Sequence, residues 1–177
     1  MYPLFESLCI QDGQLLHTQW HQLRFEKACQ NFFGKTPTFD LLESIDIPEE
    51  FCRGTAKLKI QYNENKRTLD FQHYQMQGIQ SLRLVHANTL YYTHKYSNRE
   101  KLEALFTQRG NCDDVLIVRR GRITDSSYAN VVFFDGKDWW TPHLPLLEGT
   151  CRALSLIHIS EPTRRTPISY AVFCLKK

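Results

Sequence analysis

The chain has 177 residues, 42% of them hydrophobic, with 22 Lys and Arg against 19 Asp and Glu, which suits one globular unit or two small lobes and excludes a disordered tail or a coiled coil. No run of 18 apolar residues exists, and the start Met1-Tyr2-Pro3-Leu4-Phe5-Glu6 lacks a basic-then-apolar export pattern, so neither a membrane span nor secretion is indicated and a cytoplasmic protein is expected. The net charge of +3 belongs to residues 154–177, where Arg164, Arg165, Lys176 and Lys177 stand against Glu161 alone; 18 basic and 18 acidic residues remain without them, and the argument for a nucleic-acid surface goes with it.

Tyr2 to Ile10 is rich in strand formers, and Asp12-Gly13 followed by Gln14-Leu15-Leu16 predicts a hairpin turn and return strand. Thr18 is placed to cap a helix in which Trp20, Leu23, Ala28 and Phe32 recur near helical spacing and Gly34 is the stop. Two short helical segments, Phe39 to Ser44 and Pro48 to Cys52, come next. Strands at Lys57 to Tyr62 and Thr68 to Tyr74 flank the turn-forming Asn63-Glu64-Asn65-Lys66. The first half therefore reads as an α+β lobe, 1–80, with an antiparallel sheet.

Ser81 to Ala87 reads as a further strand, after which Tyr91 to Tyr96 crosses into a second lobe, 81–153. Ser97 or Asn98 is expected to cap a helix carrying Leu102, Leu105 and Phe106 and closed by Gly110. Short strands follow at Val115 to Val118, Arg122 to Thr124, Asn130 to Phe134 and Trp139 to Thr141, with turns at Arg120-Gly121 and Asp135-Gly136-Lys137; Pro145 to Gly149 leads into a helix start. Six scattered cysteines form no CxxC pair, so free thiols are expected. His17 and His21, four apart, have no third partner at helpful spacing, and no metal site is assigned.

Four segments taken in order carry a resemblance. The HxxRF run at His21 to Phe25, Lys95-Tyr96-Ser97-Asn98-Arg99, Ile123 to Val131 and Leu147-Glu148-Gly149-Thr150-Cys151-Arg152 together resemble the class IV aminotransferases. That family uses pyridoxal 5′-phosphate (PLP) and includes branched-chain and D-amino acid aminotransferases and aminodeoxychorismate lyase. The resemblance implies the two-lobed α+β fold of fold type IV, D-amino acid aminotransferase-like, and a homodimer.

By the same resemblance Lys95 matches the Schiff-base lysine, an amine that attacks an aldehyde only when unprotonated and so needs a dry setting or a neighbouring cation. Arg24 matches the phosphate-binding arginine, and Gly149, Thr150 and Cys151 match a second phosphate grip built on backbone N–H groups. Asp125 stands where the family usually has Glu, whose carboxylate meets the pyridine nitrogen; the charge is kept and the reach shortened by about 1.5 Å. Tyr91, Tyr92 and Tyr96 flank the lysine as substrate-pocket candidates. The implied reaction is amino transfer between an amino acid and a keto acid, with the KxxNR form keeping an aminodeoxychorismate lyase as alternative. Asp125 also motivates a third reading, a non-catalytic cofactor-binding or interaction module.

Residues 154–177, LSLIHISEPTRRTPISYAVFCLKK, resemble in two blocks, Leu154 to Arg164 and Ile168 to Lys177, the translated reading frame of a sequencing-library adapter, with Arg165-Thr166-Pro167 as its variable index. That resemblance implies a natural chain cut near Ala153, a C-terminally truncated second lobe, a tail without evolved function and, for the 177-residue chain as written, an inactive protein.

Overall fold

The structure, a computed structural model, describes residues 1–75, 78–155 and 170–176, with Ser155 and the last stretch described by backbone alone. The chain divides into two compact units: Met1–Gln77 with His94–Asn98, and Gly78–Thr93 with Arg99–Lys177. The segment that carries Lys95 therefore returns to the first unit after the chain has entered the second.

In the first unit β1 (Leu4–Gln11), β2 (Gln14–Leu15), β3 (Thr55–Tyr62) and β4 (Arg67–His73) form an antiparallel sheet in the order β2-β1-β3-β4. Asp12 and Gly13 make the β1–β2 turn with φ of 48° and 78°, the left-handed pair that a two-residue type I′ hairpin needs. Side chains of β1 and β3 alternate across the sheet. Leu4, Leu8, Ile10, Ala56, Leu58, Ile60 and Tyr62 enter a core shared with Phe25, Ala28, Cys29 and Leu41.

Helix α1 (Thr18–Ala28) covers that face and runs on through a π-helical turn, Cys29–Phe33, to Gly34 at φ 68°. Its buried residues are His21, Phe25 and Ala28, whereas Leu23 and Phe32 are 49% and 40% exposed. The stripe expected from Trp20, Leu23, Ala28 and Phe32 is thus rotated, because a histidine occupies a core position that hydrophobic counting passes over. Thr18 is the first helical residue rather than the cap: His17 holds the capping position in the left-handed region at φ 57° with no side-chain cap bond. Leu41 to Ser44 forms turns instead of a helix, and Glu49–Phe51 is a single 3-10 turn.

The second unit is a six-stranded sheet with β10, β8, β7, β6 and β5 in order and β9 beside β8. Its strands are β5 (Leu82–His86), β6 (Asp114–Arg119), β7 (Arg122–Ser126), β8 (Ala129–Phe134), β9 (Trp139–Trp140) and β10 (Tyr170–Lys176). Among the described strands only β5 and β6 pair in parallel. Five consecutive residues of β6 and of β8 are buried, the pattern of strands covered on both faces. Arg120-Gly121, at φ 51° and 74°, makes a second type I′ turn. Helix α2 (Glu100–Phe106) starts after Arg99 without a side-chain cap, so neither Ser97 nor Asn98 caps it, and α3 (Thr150–Ser155) follows Gly149. Of the adapter-like tail, residues 156–169 and 177 lie outside the described residues, while β10 runs antiparallel to β8. Among the described residues no helix is long and apolar enough to cross a membrane.

Phe25 is fully buried, 4.9 Å edge-on from the Tyr62 ring and 5.3 Å from Phe39. Phe25→Ala is expected to cost about 3–5 kcal/mol of folding stability, measured by urea denaturation, against about 1 kcal/mol for Phe25→Leu.

Candidate active site

Glu6 sits on the core face of β1 between Leu4 and Leu8, with no exposed surface. A carboxylate there must be paired, and two residues from α1 reach it. Arg24 donates from Nε to Oε1 at 2.8 Å and from Nη2 to Oε2 at 2.5 Å, and His21 Nδ1 lies 2.6 Å from Oε2. His21 and Arg24 are three apart on the helix, so one face delivers both. Burial pushes the Glu6 carboxyl up, but the charge of Arg24 with the His21 and Arg24 hydrogen bonds outweighs it and brings the acid down from 4.5 to about 2. Burial lowers His21 below its ordinary 6.5; Glu6 opposes this, and the charges of Arg24 and Lys95 add to it. A neutral imidazole donating Nδ1–H to the ionised carboxylate satisfies both groups, with Arg24 as the compensating cation.

Lys95 is 7% exposed. Its segment is laid along the start of β1 by two backbone hydrogen bonds, Phe5 N–H to Lys95 O at 3.0 Å and Ser97 N–H to Pro3 O at 2.8 Å, which together make an antiparallel bridge between Leu4 and Tyr96. Nζ packs over the Phe5 ring, 4.9 Å from its centroid. His94 and Tyr96, on either side in sequence, meet edge-on at 5.8 Å and both pack against Phe32 of the π-helical turn, at 5.6 and 6.0 Å. Within the first unit Glu6, His21 and Arg24 form one cluster, Lys95 and Tyr96 lie beside the start of β1, and the Lys95 charge is felt at His21. Glu6 was not anticipated from sequence, although a carboxylate at a core-facing position of an alternating strand was the available signal.

In the second unit Asp125 on β7 and Asn130 on β8 are direct cross-strand partners. Asp125 is fully buried and accepts from Asn130 Nδ2 at 2.6 Å on Oδ1, and from the backbone N–H groups of Leu146 at 2.5 Å and Leu147 at 3.3 Å on Oδ2. Asn130 Nδ2 also donates to Leu147 O at 2.9 Å. Asp125 is thus a strand residue that fastens the loop before α3, and an Asx turn is not what it forms. Gly149 and Thr150 are buried at the start of α3, with Cys151 half-buried. Of the tyrosines, Tyr92 is buried and Tyr91 is 63% exposed. His17 is exposed on the surface and His21 is committed to Glu6. Among the described residues no three ligating side chains cluster as a metal site.

Two measurements check this geometry. Because the Glu6 carboxyl is depressed in the folded state, its contribution is present above pH 4.5 and is lost as pH falls toward 2, a change on the order of 3 kcal/mol in urea-derived stability. Glu6→Gln is expected to be less stable than the natural chain at pH 7 by about 3 kcal/mol, with the gap closing in that acid window. Asp125→Ala is expected to raise hydrogen exchange at the Leu146 and Leu147 amides at least about tenfold, as loss of a buried acceptor worth more than about 1.4 kcal/mol implies.

A family model described as amino-transferase class IV matches residues 3–174. An uncharacterized protein of Haemophilus influenzae is 36% identical over 154 residues, which cover 86% of this chain and 82% of that one. A crystal structure from Haemophilus somnus, described as a candidate 4-amino-4-deoxychorismate lyase, superposes with a TM-score of 0.86 at 32% identity, covering 92% of this chain and 87% of its own. A hypothetical aminotransferase of Mycobacterium tuberculosis, with alpha-ketoglutarate and PMP bound, gives 0.73 at 16% identity over 90% and 71% of the two chains, a likeness of fold alone. With nearly its whole length matched by the family model and a relative more than a third identical, the chain belongs to the class IV aminotransferase family.

Proposed function

We propose that this protein binds PLP at Lys95 and transfers amino groups between an amino acid and a keto acid. The observation that carries the reading is the buried Lys95 amine, held on the Phe5 ring in the same unit as a guanidinium fixed by Glu6. The donor chemistry fits the cofactor. A primary amine shielded from water suits its aldehyde, and the guanidinium of Arg24, oriented by Glu6, carries a charge that suits a phosphate. When bound, PLP supplies an electron sink for the bonds at the substrate α carbon.

Each residue then has a defined task. Lys95 Nζ would hold the cofactor by its aldehyde end and, as a primary amine, would serve as the base and then the acid for the proton at the substrate α carbon. Arg24 holds the phosphate, and Glu6 with His21 keeps its guanidinium in one orientation inside the apolar core. Gly149, Thr150 and Cys151 of the second unit are assigned, as the family resemblance implies, to a phosphate grip of backbone N–H groups. Asp125 is assigned to the pyridine nitrogen, its orientation fixed by Asn130, Leu146 and Leu147. Tyr91, Tyr92 and Tyr96 line the substrate side. Residues 154–177 have no part in this proposal.

A second reading, 4-aminobenzoate formation from aminodeoxychorismate with release of pyruvate, is favoured by the Haemophilus somnus structure, described as a candidate lyase of that kind. Mixing the protein with PLP and reducing with borohydride is expected to leave a pyridoxyl adduct on Lys95, found by peptide mass spectrometry and absent in Lys95→Ala; no adduct on Lys95 overturns the proposal. Formation of pyridoxamine phosphate with an amino donor supports transfer, whereas pyruvate released from aminodeoxychorismate selects the lyase.

A further inference from the structure

The ring of Phe5 carries two cations. Lys95 Nζ lies 4.9 Å from its centroid and Lys59 Nζ lies 5.2 Å from the same point, so the two nitrogens stand within about 10 Å of each other, the sum of those distances. Strand register produces this. Ser7 faces Lys59 and Phe5 faces Gln61 across β1 and β3, so Phe5, Ser7, Lys59 and Gln61 share the sheet face opposite the core, and Lys59 is the diagonal neighbour of Phe5. Phe5 is itself 6% exposed, and its ring keeps water out of part of the space between the two amines.

We propose that Lys59 is a positioning residue for Lys95: its fixed positive charge beside the shared ring disfavours a second ammonium there and raises the fraction of Lys95 present as free amine. The proposal rests on the assignment of Lys95 as the nucleophilic amine. Two like charges at this separation, across a partly dry path, interact strongly enough to displace a proton equilibrium by a fraction of a pH unit to about one unit.

Other charged groups lie on the elements packed around Lys95 in this unit. On β1, Glu6 is spent on Arg24 and His21 of α1. On β3, Lys57 lies two residues further along the Lys59 face and adds charge of the same sign. On β4, Asp70 is opposite Lys59 but exposed, and it accepts from Gln72 Nε2 at 2.8 Å. On the lysine's own segment, burial lowers His94 below its ordinary 6.5 and so favours its neutral form. Lys59, at 5.2 Å, is the second lysine over the ring.

Competitive labelling of the cofactor-free protein with isotopic acetic anhydride across the alkaline range, read peptide by peptide, gives the titration midpoint of Lys95 without turnover. Lys59→Met is expected to raise that midpoint by roughly 0.3 to 1 pH unit and Lys59→Arg to leave it in place, while Lys57→Met moves it less. An unmoved midpoint in folded Lys59→Met, or an equal shift in Lys59→Arg, overturns the proposal; Lys59→Gln replaces Met if that variant does not fold. A Lys95 that stays unlabelled even at high pH also overturns it. A midpoint that shifts in a protein giving no borohydride-trapped PLP adduct sinks the cofactor reading and leaves the tuning intact, and an adduct with an unmoved midpoint does the reverse.

Discussion

An ionised carboxylate on the apolar face of a central strand would cost several kcal/mol if nothing answered it, and the first unit is organised around that answer. Glu6 lies among Leu4, Leu8 and Ile60, and α1 is set so that His21 and Arg24 both reach it. The helix could bury a more apolar stripe by turning Leu23 inward. It does not, because that rotation would leave Glu6 unpaired, a larger loss than the roughly 1.5–3 kcal/mol gained by burying a leucine. The pair thus fixes the rotation of the helix as well as the orientation of one guanidinium.

The same strand governs both of its faces. Glu6 points to the helix while its neighbour Phe5 points the other way and carries Lys59 and Lys95, and the Lys95 charge still reaches His21. The segment holding Lys95 is bound to β1 by main-chain hydrogen bonds, which fix the point from which its side chain reaches the Phe5 ring. In the second unit the arrangement is of another kind. Asp125 and Asn130 are hydrogen-bonded to the backbone of Leu146 and Leu147, so a cross-strand pair ties a loop to the sheet ahead of Gly149 and Thr150 at the start of a helix.

Both cores are close to what patterning alone provides. β1 and β3 alternate as half-buried strands, and the hairpins at Asp12-Gly13 and Arg120-Gly121 use the left-handed pairs their sequences announce. The helix caps were less readable, since His17 and Arg99 hold those positions with no side-chain bond, and the turns around Leu41 depend on packing beneath them.

By itself the sequence determined the two hairpin turns, the apolar alternation of the first sheet, the helix that ends at Gly34 and the order of motifs that placed Lys95, Arg24 and Asp125 as the residues of interest. Those are local or collinear properties, carried by backbone preference and by spacing along one chain. Only the tertiary structure decided that Arg24 answers Glu6 rather than Glu26, that His21 is a core residue, that Asp125 clasps a loop twenty residues away, and that Lys59 shares a ring with Lys95. Each of those depends on which residues far apart in sequence are brought to hydrogen-bonding or van der Waals distance, and the energy of a buried charge is set by such partners and by the loss of water, neither of which is written in the neighbouring residues.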